Sequence, residues 1–316
     1  MGVVVPASPK ISVIIPTYNR RNILPRTIAS VLSQDEPDFE LIVVDDCSPD
    51  DTQAYLASLT DPRIRTVVPS RNGGTAAARN VGLEAARADV VALLDDDDEY
   101  LPRRLSAPLE IFAREPDVVA TVSSSIKLDK KGTQVMRMPE MKLAPQAFEW
   151  ALLCDLIGVE GTSITARRAD AIAVGGFRSG MKWIDDREFL IRLARRGSGW
   201  LLAETLWQKH WSDDGQSNQW AEAGKSLLDY AAACPDLTTR HRKVGSYFAT
   251  KVLVADLRRG LFGAFRRDLA AFLRVGLLNG NMADMWRNHV EVRSYRRSMR
   301  NSAALAALTG PPASLS

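Results

Sequence analysis

Residues 90–98 read VVALLDDDD, so a run of apolar side chains leads directly into four consecutive carboxylates. The apolar part predicts a buried strand, which places the acidic part at the strand's carboxyl end. Four like charges at one point raise one another's pKa and destabilise the ionised forms. A divalent cation such as Mg²⁺ or Mn²⁺ would remove that cost and still have coordination positions for phosphate oxygens. The stretch therefore predicts either a metal–diphosphate site or a solvated acidic turn.

The residues around this stretch alternate between short apolar runs and helical patterns. Strands are expected at 11–15, 41–44, 64–68, 90–94 and 118–122, and helices at 22–34, 51–59, 75–86 and 102–114. This alternation predicts an α/β fold with a mostly parallel, Rossmann-like sheet flanked by helices. Ligands of such sheets bind beyond the carboxyl ends of the strands. The loops at 16–20, 45–50 and 95–99 fall at those ends, and all three are polar or acidic.

The first two loops supply candidate groups for a nucleotide. Tyr18 can present a flat ring to a base, while Thr17 and Asn19 can form hydrogen bonds. Asp45 and Asp46 can accept hydrogen bonds from a base N–H or a ribose hydroxyl. Taken alone, residues 16–20 could form an ordinary strand-to-helix turn. Asp45 or Asp46 could be a capping aspartate with a solvated neighbour.

A glycine-containing loop precedes the third predicted helix. It runs from Arg71 through Gly73 and Gly74, and the helix that follows carries Arg79 one turn in. The glycines permit close approach of the backbone to a ligand, and a helix N-terminus favours anions. Arg79 could therefore contact a phosphate or a base, or it could be an exposed helix arginine.

Charge and cysteine content limit the class of protein. The net charge is +3, but residues 240–300 carry +10 and the remainder carries −7, which suggests a surface that meets anions. Cys47, Cys154 and Cys234 form no Cys-x-x-Cys pair and favour a reduced cytoplasmic protein over a disulfide framework or a zinc site. Residues 1–6 do not resemble a signal peptide. The sequence contains no run of 18 apolar residues, so no membrane span is predicted.

The C-terminal part differs in character from the rest. We expect a catalytic domain over 1–218, a helical basic region over 219–300 and a fraying tail over 301–316. The segment 257–267 mixes arginine with aromatic residues, as in a basic amphipathic helix that lies on an anionic membrane. A helical subdomain packed on the catalytic core is the alternative, and nucleic-acid binding is the weakest interpretation of this charge.

Four motifs together resemble the family 2 inverting glycosyltransferases, whose nucleotide-binding fold is called GT-A. They are PTYNR at 16–20, VVDDCS at 43–48, RNGG with ARN within 71–80, and LLDDDD at 93–98. The resemblance covers residues 10–215, with a nucleotide-sugar-binding half at 10–122 and an acceptor half at 123–218. It implies a metal-dependent, inverting transfer from a nucleotide-diphosphate sugar, expected to be a UDP-sugar. Gln219 stands where processive synthases have arginine and no membrane span is predicted, so a non-processive enzyme is expected. The acceptor would be a hydroxyl of a glycan or a lipid-linked molecule in cell-envelope or polysaccharide biosynthesis.

The resemblance also implies roles for individual residues on the donor side. Tyr18 would stack on the base, Asp46 would bind it and Arg79 would support the nucleotide. Mn²⁺ or Mg²⁺ would be held by Asp97, and Asp95 or Asp96 would contact the ribose or the donor sugar. Asp98 is expected to be a flanking charge. The further donor contacts implied are Pro16, Thr17, Asn19, Asp45 and Arg71.

Two downstream segments resemble the acceptor side of the family. They are Gly175-Gly176-Phe177 and the sequence WIDDREF at 183–189. By this match Asp186 would be the general base that takes the proton of the acceptor hydroxyl, and Asp185 would orient the base or the acceptor. From the residues alone, both aspartates could instead cap a helix. The other contacts implied are Gly176, Phe177 and Trp183 for the acceptor and His210 for the metal or diphosphate.

Two other classes of protein remain open from the sequence. A sugar nucleotidyltransferase also uses carboxylate-bound metal, but it should carry a glycine-rich phosphate loop after the first strand, which residues 16–20 do not resemble. A non-catalytic nucleotide-sugar or glycan-binding module would keep the fold without the general base. No nucleic-acid partner is expected, an oligomer is left open, and the expected location is the cytoplasm, including the inner face of the membrane.

Overall fold

The structure is a computed structural model that describes residues 8–129, 132–179, 181, 184–210, 223–278, 280–299 and 302–315. The chain divides into two compact units, each built from separate segments. The first unit takes the described residues of Met1–Lys142, Val159–Ser179 and Arg192–Ser212, and the second those of Leu143–Gly158, Gly180–Ile191 and Asp213–Ser316. The domain boundary predicted at 218/219 lies outside the described residues.

A ten-stranded sheet forms the framework of the fold. Its strands are β1 (Ile11–Thr17), β2 (Phe39–Asp45), β3 (Ile64–Val67), β4 (Val90–Leu93), β5 (Asp98–Tyr100), β6 (Val118–Asp129), β7 (Gly132–Met136), β8 (Met141–Leu143), β9 (Ile164–Arg167) and β10 (Ser198–His210). The strand order is β3-β2-β1-β4-β9-β6-β10-β5, with β7 paired to β6 and β8 to β10. The predicted α/β fold with a helix-flanked sheet is confirmed.

The sheet is parallel from β3 to β4 and mixed beyond it, where β10 is parallel to β6 but β9 is antiparallel to both of its neighbours. Strands β1 to β4 pair in parallel, so their carboxyl ends lie at one edge. Strand β9 is antiparallel to β4 and β6, and β5 is antiparallel to β10. The parallel half follows the strand–helix alternation seen in the sequence, whereas the antiparallel pairs were not predicted. Their partners lie far apart along the chain.

The helices, in chain order, cover both units. They are α1 (Leu24–Leu32), α2 (Thr52–Ala57), α3 (Thr75–Ala85), α4 (Ser106–Arg114), α5 (Pro145–Leu153), α6 (Arg168–Ala173), α7 (Asp185–Ala194), α8 (Ala223–Ala233), α9 (Arg242–Arg258), α10 (Phe262–Arg274), α11 (Met282–Ser298) and α12 (Ser302–Ala306). Helix α1 shows how the pattern works: Leu24, Ile28 and Val31 recur at helical spacing and enter one core cluster with the apolar face of β1. No helix among those described is long and apolar enough to cross a bilayer.

The second unit is held by a network around Asp155, which follows α5. Its carboxylate forms ion pairs with Arg187 of α7 and Arg296 of α11. Although burial opposes it, the charges of these two arginines lower the pKa of Asp155. Trp150 of α5 also donates from Nε1 to the Tyr295 hydroxyl at 2.9 Å. The first turn of α7 is thereby fixed within its unit.

The tail over 301–316, which the sequence predicts to fray, is described over residues 302–315. Residues 302–306 form α12, and a short 3₁₀ turn covers Ala313–Leu315. Leu305 and Leu315 are buried, and Lys243 donates to the Ser314 carbonyl at 2.7 Å. Two leucines in a segment of small residues are enough to attach it, because burying apolar surface opposes the entropy of a free end.

Candidate active site

The loops that follow β1 and β2 are joined by backbone hydrogen bonds. Thr17 and Asp45 are register partners at the ends of the two strands, and the Asp46 amide donates to the Thr17 carbonyl at 2.9 Å. The Asn19 amide donates to the Ser48 hydroxyl, also at 2.9 Å. Tyr18 lies between these attachments with 48% of its surface exposed, as a stacking platform requires.

The carboxylates after β2 are buried and hold backbone. Asp45 accepts from the Ser48 amide at 3.0 Å. Asp46 accepts from the amides of Gly73 and Gly74 at 2.9 and 2.7 Å, which binds the glycine loop to β2. The predicted contact of Asp46 with a base would therefore share these oxygens with the glycine loop. Arg71, at the start of that loop, is exposed, and Pro16 is buried within β1.

Arg79 is buried rather than exposed, and it binds the acidic run. Its Nη2 donates to Asp95 Oδ1 at 2.7 Å. Gly161 leaves space for the Arg79 guanidinium, since a Cβ at position 161 would lie 2.2 Å from Nη2. The guanidinium also lies over the Phe177 ring, 5.1 Å from its centroid. The glycine loop, α3 and the acidic run are thus connected through one arginine.

Helix α1 holds the backbone of the acidic run. Thr27 donates from its hydroxyl to the carbonyls of Asp96 and Asp98 at 2.8 and 2.9 Å, and Arg26 donates to the Asp97 carbonyl at 3.0 Å. Because the carbonyls are bound from this side, the run is a fixed turn that leads into β5. It is not the solvated acidic turn that the sequence left open.

Asp98, expected from the sequence to be a flanking charge, lies buried within the fold. Its Oδ2 accepts from the Thr162 hydroxyl at 2.6 Å, and its Oδ1 has no hydrogen-bond partner among the described residues. The Asp95 amide donates to the same Thr162 oxygen at 3.1 Å. Thr162 therefore connects both ends of the acidic run. It lies 64 residues from Asp98 in sequence, so no local pattern could reveal it.

The charge of Lys209 in β10 acts on the acidic run. Its ammonium pairs with Glu160 at 2.6 Å, and Glu160 also pairs with Lys127. Burial lowers the pKa of Lys209, but the charges of Glu160 and Asp98 outweigh it, so the pKa is raised. The ammonium group remains charged and offsets part of the repulsion among the aspartates.

The aspartates nevertheless keep raised pKa values. Desolvation raises the pKa of Asp96 to about 7. Desolvation and then the charge of Asp95 raise the pKa of Asp97, against the opposing charges of Lys209 and Arg20. The same two causes raise the pKa of Asp98 well above its usual range. Burial therefore disfavours the ionised forms of Asp96, Asp97 and Asp98, and the charge of Lys209 offsets this only in part for Asp97 and Asp98.

These features fit a hard divalent cation. The donors are carboxylate oxygens, their ionised forms are destabilised, and a buried oxygen of Asp98 lacks a partner. Across the described residues, no three His, Cys, Asp or Glu side chains are grouped to hold a metal by themselves. Mg²⁺ is usually bound by one or two protein carboxylates together with the phosphates of the substrate.

His210 lies beside Glu99. Its Nε2 contacts Glu99 and lies 2.9 Å from the Gln208 amide nitrogen. Glu99 also pairs with Arg26 at 2.9 Å. Neighbouring residues of a strand point to opposite faces, so Lys209 faces the acidic run and His210 does not. The metal contact implied for His210 stays a prediction that these contacts do not support.

The predicted acceptor residues Gly176 and Phe177 are bound to α3. Asn80 donates to the Phe177 carbonyl at 2.8 Å and accepts from the Phe177 amide at 2.7 Å. Gly176 has a φ of +63°, and a Cβ there would lie 2.3 Å from Asn80 Oδ1. Phe177 is buried and supports Arg79, while Trp183 lies outside the described residues. Contact of these residues with an acceptor stays a prediction.

Asp185 and Asp186 open α7, as the sequence predicts. Both are half-buried, and Glu188, further along the same helix turn, is fully buried. The neighbouring Arg187 is fixed by Asp155, which restricts the orientation of this first turn. Carboxylates at a helix N-terminus are stabilised in the ionised form, as a general base must be.

The comparison with known proteins identifies the family. The sequence profile of glycosyl transferase family 2 matches residues 12–174, which is half of the chain. The chain belongs to glycosyl transferase family 2. Its family is one of glycosyltransferases, which sets aside the sugar nucleotidyltransferase that the sequence left open.

Two relatives show how far the family 2 match extends. The chain is 31% identical over 227 residues to TuaG of Bacillus subtilis (strain 168), a protein named for teichuronic acid biosynthesis, which covers 70% of this chain and 87% of TuaG. It is 35% identical over 143 residues to succinoglycan biosynthesis protein ExoO of Rhizobium meliloti (strain 1021). That second match covers 43% of this chain and only 41% of ExoO.

A solved structure shares the family 2 fold. The crystal structure of S. aureus TarS 1–349 in complex with UDP-GlcNAc gives a TM-score of 0.69 at 18% identity. It covers 93% of this chain and 91% of that chain. This likeness confirms the expected GT-A-type sheet and the helical C-terminal region.

Proposed function

We propose that the chain transfers a sugar from a UDP-sugar to an acceptor hydroxyl, with inversion at the anomeric carbon. The observation that carries the proposal is one continuous set of hydrogen bonds. It joins the loops after β1, β2 and β4 through Asn19, Asp46 and the Arg79–Asp95 pair. Segments that the sequence marks as nucleotide-binding thus form one surface at the carboxyl ends of parallel strands, where ligands bind in such sheets.

The donor roles follow from what each side chain leaves available. The exposed ring of Tyr18 stacks on the base, and the buried carboxylates of Asp45 and Asp46 accept from it or from the ribose. Asp95, held by Arg79, and Asp96 contact the ribose or the sugar. A divalent cation bound at Asp97, with Asp98 behind it, would neutralise charge that develops on the leaving diphosphate.

Asp186 is the proposed general base. An inverting transfer requires that the acceptor hydroxyl lose its proton as its oxygen attacks the anomeric carbon opposite the leaving group. A carboxylate in the first turn of α7 can take that proton, and Asp185 would orient it or the acceptor. The names of TuaG and ExoO support an acceptor in cell-envelope polysaccharide synthesis, either a glycan or a lipid-linked glycan.

The proposal is tested by a thermal-shift panel of UDP-, GDP- and dTDP-sugars, with and without Mn²⁺. Only a ligand that binds the folded state raises the melting temperature, by mass action. We expect the UDP-sugars to give the largest shifts, and we expect Mn²⁺ to enlarge them. Equal shifts for all three bases would contradict the assigned nucleotide, and NMR of the product anomer tests inversion.

A substitution at Gly161 tests the role of Arg79. The Cβ of Gly161→Ala would lie 2.2 Å from Arg79 Nη2 and 3.2 Å from Asp95 Oδ1, so the pair must separate. Loss of a charge-assisted hydrogen bond should weaken donor binding about tenfold, measured by isothermal titration calorimetry. Gly263→Ala in α10 is the control, because its Cβ would meet no atom within 4 Å. Unchanged donor affinity in Gly161→Ala would remove Arg79 from the donor site.

A further inference from the structure

The outward side of α11 carries an apolar line that no described part of the chain covers. Met282, Trp286 and Val290 recur at intervals of four residues, so they lie on one side of the helix. They are 84%, 60% and 48% exposed. Large apolar side chains exposed in a continuous line mark an interaction surface rather than ordinary surface variation.

Arginines continue the same side of α11. Arg293 and Arg297 lie 11 and 15 residues after Met282, which places them on the same side of the helix, and both are exposed. Arg287 lies at the flank of the line with 67% of its side chain exposed. One side of the helix therefore presents an apolar half followed by a cationic half.

The opposite side of α11 is attached to its own unit. Val292 is buried, Tyr295 accepts from Trp150, and Arg296 pairs with Asp155 and donates to the Tyr247 hydroxyl. Trp286 is itself oriented by a stacked contact with His289, with ring centroids 5.6 Å apart. The exposed side is thus the fixed outer surface of a packed helix.

Helix α10 repeats this composition. Its inner side buries Asp268 and Phe272, and its outer side exposes Phe262 and Leu273. Arg266 lies between these two apolar residues at helical spacing and is exposed. Two consecutive helices of the second unit therefore expose aromatic or aliphatic side chains interleaved with arginine.

We propose that the outer sides of α10 and α11 form a docking surface for a bilayer of anionic phospholipid. Tryptophan, methionine and phenylalanine enter the boundary between headgroups and acyl chains, while the arginines pair with lipid phosphates. Charge complementarity identifies the occupant, since residues 240–300 carry +10. Such a surface would bring a glycosyltransferase to acceptors that reside in the membrane. It is independent of the donor chemistry.

Other occupants fit this surface less well. A second copy paired antiparallel about a two-fold axis would set the apolar half of one α11 against the cationic half of the other, which desolvates the arginines without supplying an opposite charge. Nucleic acid would pair with the arginines but would leave Met282 and Trp286 without apolar partners. The experiment below separates a second copy from membrane binding.

The experiment is flotation of the full chain with vesicles of phosphatidylcholine alone or of an equal mixture with phosphatidylglycerol. We expect binding to the anionic vesicles at least about tenfold tighter than to the neutral ones, and weakening with added salt. Arg293→Glu with Arg297→Glu should weaken it about 25-fold or more, since each arginine near the surface contributes about fivefold. Met282→Ser with Trp286→Ser should weaken it about tenfold, because the inserted apolar area is lost.

The control is Val135→Ser with Met136→Ser, which removes two exposed apolar side chains from β7. Vesicle binding of this variant should equal that of the unmodified chain, and melting temperatures confirm that each variant is folded. Absence of binding to anionic vesicles, or equal binding by the α11 variants and the control, overturns the proposal. A dimer in sedimentation velocity that the α11 substitutions dissociate, without vesicle binding by the unmodified chain, would assign the surface to a second copy.

Discussion

Replacement of Asp186 by asparagine is expected to lower kcat for sugar transfer by about 10³-fold, the middle of the range that a general base supplies. Asparagine keeps the size and the capping oxygen of the side chain but cannot take the proton of the acceptor hydroxyl. Donor-induced thermal shifts should be unchanged. In the unmodified enzyme kcat should fall at low pH, because the base becomes protonated. In Asp186→Asn this fall in kcat should be absent.

The control for Asp186 is its neighbour. Asp185→Asn removes a carboxylate from the same helix turn, so it has the same effect on the helix dipole, worth about 0.3–1 kcal/mol. An orienting residue should lower kcat by only about tenfold. If Asp186→Asn retained full transfer activity, or if the two variants lost activity equally, Asp186 would not be the base.

The parallel half of the sheet was predictable because its signals are local. Strands β1, β2 and β4 are short apolar runs, and β1 to β3 are each followed by a helix. In α1 the apolar residues Leu24, Ile28 and Val31 recur at helical spacing. The connections between them are short, so the chain order also gives the parallel pairing. Strand β9 carries no such information, because its partners β4 and β6 are decided by contacts remote in sequence.

The candidate site shows the same division. Tyr18, Asp46 and the acidic run could be named from motifs because each lies at the end of a predicted strand. Thr162 and Lys209 could not, since Thr162 is bonded to Asp95 and Asp98, and the charge of Lys209 acts on them, only across the fold. Glu160 is tied to the site through its ion pair with Lys209. The one signal available for Lys209 was strand alternation, which assigns it and His210 to opposite faces of β10.

The acidic run gives the other large effect. Asp97→Asn is expected to lower transfer activity by about 10²- to 10³-fold, because charge on the leaving diphosphate would lose several kcal/mol of stabilisation. Without metal, the Asp97→Asn variant should be at least as stable as the unmodified chain. Desolvation and the charge of Asp95 raise the pKa of Asp97 and make its ionised form unfavourable, and asparagine carries no charge. Lost activity with unreduced stability is a combination that general damage to the fold does not produce.

Mn²⁺ separates this interpretation from a purely structural one. The unmodified chain should gain melting temperature with Mn²⁺ plus UDP, and chelation should abolish both this gain and the transfer activity. Asp97→Asn should show neither response, whereas Asp51→Asn, at an exposed position beside α2, should behave as the unmodified chain does. Full activity after chelation would leave Lys209 and Arg79 as the positive charges that act on the diphosphate.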